Sequence, residues 1–280
     1  MRTTVFLIAA VILPAALAAQ NTPVSQPSDP GVLIHRAAEH EAHALESPLE
    51  FQFQEKLEWS WGTETRTVIE TREGRADRIV LFRDLPLTSE QQAKQQHRLE
   101  KLLSNKDAVR AEMQDQRSET QRRIKMIKAF PLAFIFDPAA READGSLKFT
   151  FHPNPNFSPK DRETQMYSGM EGTVWIDPEQ ERITHIEGTL VKDVSFGWGI
   201  LGKLNKSGTY QIAQTQISPG IWRITTLNVD VKGRILVFGS FKFFRKENNS
   251  QLSSTPASMT YRQAIEMLLT QGPSGPVKAR

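Results

Sequence analysis

Between Glu50 and Trp61 apolar and polar residues alternate almost strictly. Phe51, Phe53, Leu57, Trp59 and Trp61 fall on one side, and Gln52, Gln54, Lys56, Glu58 and Ser60 on the other. A period of two marks a half-buried β-strand. Glu55 is the only polar residue on the apolar side. Thr65 to Thr71 and Arg75 to Phe82 read as a hairpin turning at Glu73-Gly74. Beyond Phe130-Pro131 the same period returns, with Leu147, Phe149 and Phe151 alternating with Lys148, Thr150 and His152. Met166 to Asp177 and Arg182 to Val191 flank the turn at Asp177-Pro178-Glu179, and Gly208 to Ile217 and Ile221 to Val231 follow. Lys232-Gly233 is expected to form a two-residue turn into a last strand, Arg234 to Phe244. Strands joined by short turns predict an antiparallel meander.

Three segments have a helical period instead. From Pro30 to Glu46 the residues Leu33, Ile34, Ala37, Ala38, Ala44 and Leu45 share one stripe, with Ser28 or Asp29 as cap and Pro48 as stop. Glu41 falls inside that stripe, which predicts an ion pair at its edge. Leu87 to about Lys128 contains no Gly or Pro and carries a stripe of Leu99, Leu102, Leu103, Val109 and Met113. Its portion Gln114 to Arg123 has no apolar residue and reads as a solvated helix or a helix–helix connection. This stretch, about 88–128, is expected to be an insertion dispensable for the β fold. Thr260 to Thr270 is the last helix, with Gly272 as its cap. The pattern predicts one α+β domain over 30–272: a curved antiparallel sheet, an unclosed half-barrel, covered by helices. The tail 273–280 is expected to be disordered.

Arg2 precedes an apolar run from Val5 to Leu13, and Ala16-Leu17-Ala18 fits the small-x-small cleavage pattern. The run is shorter than the roughly 20 residues that a membrane span needs. A signal peptide over 1–19, a linker over 20–29 and a periplasmic or secreted product are the expectation. None of the 280 residues is cysteine, which excludes disulfides, thiolate metal sites and cysteine nucleophiles. An exported fold of this kind relies on core packing alone. The net charge of +3 argues against a nucleic-acid partner.

Catalytic signatures are missing. No phosphate loop, dinucleotide fingerprint or nucleophile elbow occurs, no cofactor or metal site is predicted, and the chain is not expected to be an enzyme. His40-Glu41-Ala42-His43 has the wrong spacing for a zinc protease, and the column His35, Glu39, His43 lies opposite the apolar stripe. Arg117, Arg122, Arg123, Lys125 and Lys128 form a basic cluster, interleaved with Ile124, Met126 and Ile127, that reads as a solvated helix end or a peripheral membrane contact. In Phe196-Gly197-Trp198-Gly199-Ile200-Leu201-Gly202, three glycines separate large apolar residues. Such a loop is costly in water unless it folds back or meets a ligand.

The stretch from Tyr167 to Arg245 resembles a known family. Gly172-Thr173-Val174-Trp175-Ile176-Asp177, then Ile183 to Leu190, then Gly220-Ile221-Trp222, are similar to the strand pattern of outer-membrane lipoprotein-sorting proteins, the LolA/LolB-like carriers and their related sensor domain. The resemblance implies an unclosed sheet around helices, whose apolar concave face accepts acyl chains. On that reading the partner is an apolar ligand, lipid or acyl chain, or else an envelope protein. The expected lining is Phe51, Phe53, Trp59, Trp61, Phe196, Trp198, Ile200, Leu201 and Trp222. The helical insertion departs from the compact carrier pattern.

Overall fold

The computed structural model describes residues 30–47, 50–196, 202–235 and 239–271. Helix α1 (Pro30–Glu46) leads into β1 (Phe51–Trp59), β2 (Gly62–Glu70), β3 (Arg75–Phe82) and the short β4 (Leu85–Pro86). Helices α2 (Ser89–Ser104) and α3 (Lys106–Ala133) follow, then β5 (Phe134–Phe136), β6 (Ala140–Arg141) and β7 (Leu147–Pro153). One turn of α4 (Arg162–Gln165) and a 3₁₀ turn (Met166–Gly169) precede β8 (Met170–Asp177) and β9 (Arg182–Leu190). The chain ends with β10 (Val194–Phe196), β11 (Gly202–Leu204), β12 (Thr209–Ser218), β13 (Ile221–Ile235), β14 (Gly239–Ser254) and α5 (Tyr261–Thr270).

These strands form one antiparallel, unclosed sheet, ordered β4-β3-β2-β1-β14-β13-β12-β9-β8-β7-β5. Two meanders are joined where the first strand pairs with the last, Leu57 opposite Glu247. Residues opposite one another share a face. One row therefore crosses nine strands on the inner face: Phe82, Glu64, Leu57, Glu247, Leu227, Ile212, Ile186, Val174 and Phe149.

The helices form two layers on opposite faces. On the inner face, Leu33, Ile34 and Ala37 of α1 and Phe130 and Ala133 of α3 pack on Phe149, Val174 and Ile176. On the other face, α2 and α5 pack through Leu99, Ile265 and Leu268 on Ile69 and Ala76. Ile69 lies opposite Gln52 and Val68 opposite Phe53, so the register puts this second layer behind the strand that carries Phe53. α3 links the layers around the β2–β3 turn, where Gln116 Nε2 donates to the Arg75 carbonyl at 2.7 Å.

Several sequence expectations need correction. The helix after Leu87 is two helices, because the Asn105 side chain accepts from Asp107 N and Ala108 N and starts a new one. α3 runs through Pro131, since Phe130 and Ala133 are buried against the sheet. Lys232-Gly233 is not a turn: both residues pair with β14, opposite Lys242 and Phe241, and β11 pairs alongside. The last strand extends ten residues past Phe244, to Ser254, and that extension is what pairs with β1. Met166 to Gly169 is a 3₁₀ turn rather than strand. Among the described residues no helix is long and apolar enough to cross a membrane.

Candidate functional site on the inner face

The inner face is two-toned. Over β7 to β13 it is apolar. Tyr210 on β12 faces Gly188 on β9, which pairs with Gly172 on β8. A Cβ at Gly188 would lie 2.3 Å from the Tyr210 hydroxyl and 2.1 Å from the Glu171 carbonyl oxygen, so the ring occupies the space that glycine leaves. Burial raises the Tyr210 phenol well above its ordinary value. Tyr167 is likewise raised by burial, and its hydroxyl donates to the Met126 carbonyl at 2.9 Å. α1 packs on β9, and Tyr210 of β12 joins the core under α1 and α3; among the described residues neither helical layer's core includes a residue of β13, β14 or β1. In consequence every residue from Ile221 to Val231 is half-buried.

Over β1, β2, β3 and β14 the same face is ionic. Arg75 and Arg223 approach the Phe53 ring, 5.8 and 5.1 Å from its centroid. Arg75 pairs with Glu55 at 2.6 Å and Arg223 with Glu70 at 2.6 Å. The second pair joins β13 to β2 across two intervening strands, about 14 Å on a flat sheet, so the face is concave here. Arg66 pairs with Glu64, and Arg245 with Glu247, each at 2.6 Å. Burial would raise the Glu247 carboxyl, but Arg245, Asn249 and Arg75 hold it below the usual carboxylate range. Glu55 is 1% exposed. Its Oε1, with Trp59 Nε1, Arg245 Nε and Asn249 Oδ1, is buried without a hydrogen-bond partner.

At the end of the sheet formed by the β1–β2 and β3–β4 turns the face opens through aromatic rings. Trp59 stacks on Trp61 at 6.2 Å, Trp61 on Phe82 at 6.1 Å, and Phe243 meets Trp59 edge-on at 6.5 Å. Trp61 is 54% and Phe243 42% exposed, with Leu85 beside them at 66%. Guanidinium groups cover two of the rings: Arg83 lies over Phe82 at 5.4 Å and Arg245 over Trp59 at 5.2 Å.

The residues expected to line one cavity are distributed over four places among the described residues. Phe51 and Phe53 are buried at one end of β1. Trp59 and Trp61 sit at the other end, about 26 Å along the strand from Phe51. Trp222 donates through Nε1 to Gln180 at 3.0 Å, near the β8–β9 turn. Phe196 packs with Leu190, Val194 and Leu204 in a corner made by β10 and β11. Trp198, Ile200 and Leu201 lie outside the described residues. Phe82, Phe243 and Arg245 escaped the sequence reading, because the β2–β3 pairing brings Phe82 to Trp61 and the β1–β14 pairing brings Phe243 and Arg245 to Trp59.

His35, Glu39 and His43 are exposed, and no group of three potential ligands gathers for a metal among the described residues. The basic cluster of α3 is largely paired, Lys125 with Asp161 and both Arg122 and Arg123 with Glu119. Comparison with models of protein families, with curated proteins and with solved structures found no match.

Proposed function

We propose that this chain is an exported envelope binding protein that holds a lipid or acyl chain on the inner face of its sheet. The observation that carries this reading is the row Phe82, Trp61, Trp59 and Phe243 at the open end of the inner face, away from α1 and α3, with Trp61 and Phe243 exposed and Trp59 and Phe82 half-buried. Below the rim, Val229, Leu227 and Ile212 offer half-buried apolar surface between the ionic zone and α1. Each CH₂ that leaves water there contributes about 0.8 kcal/mol. The leader pattern of residues 1–19 supports export, and the strand motifs around Trp175 and Trp222 support kinship with lipoprotein carriers.

The test is titration with palmitate and with lysophospholipid, read by tryptophan fluorescence and by displacement of a fluorescent fatty acid. Saturable binding is expected, at least tenfold weaker in Trp61→Ala and Phe243→Ala, both exposed enough to leave the fold intact. Absence of any response from the intact protein overturns the reading. A second reading, an envelope interaction or sensor module without lipid cargo, is favoured by the ionic zone around Glu55, because charged surface does not attract an acyl chain.

A further inference from the structure

A separate groove of about 960 Å³ opens between the C-terminal end of α1, the β2–β3 turn, α2, α3 and α5. Leu103, Val109, Met113 and Ile265 form its apolar floor. Four cations stand around it, Arg72, Lys106, Arg117 and Arg262, against the carboxylates of Glu46 and Glu73. Both carboxylates are engaged: Glu73 accepts from Tyr261 N at 2.8 Å, and Glu46 faces Lys128 at 3.9 Å. Arg72 and Arg262 pair with Glu50 and Glu266 but stay well exposed. Lys106 and Arg117 have no ion pair or hydrogen bond among the described residues.

The dimensions narrow the occupant. α3 lines the groove from Lys106 to Gln121, about 22 Å of helix. Along that length an apolar floor is edged by exposed cations, which is the complement of an amphipathic helix with acidic flanks. An acyl chain is much thinner and would leave the walls at Thr120 and Gln121 without polar partners. We infer that the groove seats an amphipathic helix of a partner protein, with its apolar stripe on Met113 and Ile265 and acidic residues facing Lys106 and Arg117. This is helix-in-groove recognition, in which apolar residues at i, i+3, i+4 and i+7 anchor and charge sets partner choice. It does not depend on lipid binding at the inner face, which lies on the other side of the β2–β3 turn.

The test uses a displayed library of 14-residue amphipathic helices. Their apolar stripe is fixed as Leu, and the flanking positions are free to be Glu, Lys or Ser. Selection on the wild-type protein should enrich Glu at the flanks, and the winning peptide should bind at least tenfold more weakly to Lys106→Glu/Arg117→Glu. Both sites are exposed, and circular dichroism checks that the variant keeps its fold. Met113→Glu should abolish binding through the floor. Enrichment of Lys or Ser, equal binding to the double variant, or recovery of no binder overturns the inference. So does full displacement of the peptide by palmitate, which would assign the groove to a lipid.

Discussion

Glu41 sits in the middle of the apolar stripe of α1, where an unpaired carboxylate would be costly to bury. It is 7% exposed, and its two oxygens accept from Arg182 Nε and a terminal guanidinium nitrogen, each at 2.8 Å. Oε1 also accepts from Ile183 N at 3.2 Å, so α1 is pinned to the start of β9. Removing one partner of such a pair strands the other charge, at a cost of about 3–5 kcal/mol. Glu41→Ala is expected to lower the unfolding free energy by that amount in urea, and Glu41→Leu/Arg182→Met to recover most of it. The polar break in the stripe was readable in the sequence as an ion pair, but its partner 141 residues away was not. Asp161 gives a pH signature. Burial would raise its carboxyl, but Lys125 at 2.7 Å and the Thr164 hydroxyl and N–H at 2.9 Å bring it down to about 2. A carboxyl lowered on folding contributes stability that is fully present above its unfolded value near 4 and is lost as pH falls towards 2. Asp161→Asn should therefore flatten the acid limb of the stability curve between pH 4 and 2, as followed by thermal melts. An unchanged limb would mean that the Lys125 contact does not form in solution.

At the scale of elements, the hydrophobic period located strands well wherever one face is buried and the other wet. Phe51 to Leu57, Leu147 to Phe151 and Val174 to Ile176 are found where alternation puts them, with alternate residues buried. What misled was local turn chemistry without its neighbours. Lys232-Gly233 has the composition of a tight turn, yet β11 on one side and β14 on the other hold it in a ladder. Arg66, Arg75, Arg223 and Arg245 read one strand at a time as ordinary polar positions, and Glu55 as a lone polar residue on an apolar side. Only the register stacks them on one face. The helical insertion was located, but its weight in the fold was not. Leu99 is fully buried against Ile69, Ala76 and α5, Ile124 of α3 is buried, and Phe130 of α3 is buried under α1 and the sheet. Replacing residues 88–128 with a Gly/Ser linker is therefore expected to abolish cooperative unfolding, contrary to the sequence-based expectation. Leu99→Ala alone should cost about 2–5 kcal/mol in chemical denaturation. Survival of a sharp transition after the replacement would show that the sheet holds without either helical layer.

For the whole molecule, the open question is how a sheet with helices on opposite faces behaves as one unit. The inner-face core of Phe149, Val174 and Phe130 and the outer-face core of Ile69, Leu99 and Ile265 share no residue. Two connections join them. One is the β1–β14 pairing in the middle of the sheet, and the other is α3, about 42 Å long. α3 reaches the outer core with Val109 and Met113 and the inner core with Phe130 and Ala133. Between those contacts lie the residues from Gln114 to Arg123, where no side chain is apolar and Gln121 is exposed. That stretch is a strut rather than a core, which is why its sequence carries no apolar residue. A proline at an exposed interior position of a helix costs about 3 kcal/mol and bends it, without removing any buried side chain. Gln121→Pro should leave both cores packed while loosening the coupling between them. The wild-type protein is expected to unfold in one transition that reports equally on both cores, seen by hydrogen exchange at Val174 and at Ile265. In Gln121→Pro the α2–α5 side should open at lower denaturant than the α1 side, giving two resolved steps. A single, merely shifted transition would assign the coupling to the β1–β14 pairing alone, and α3 would then be a cover for each core and not a link between them.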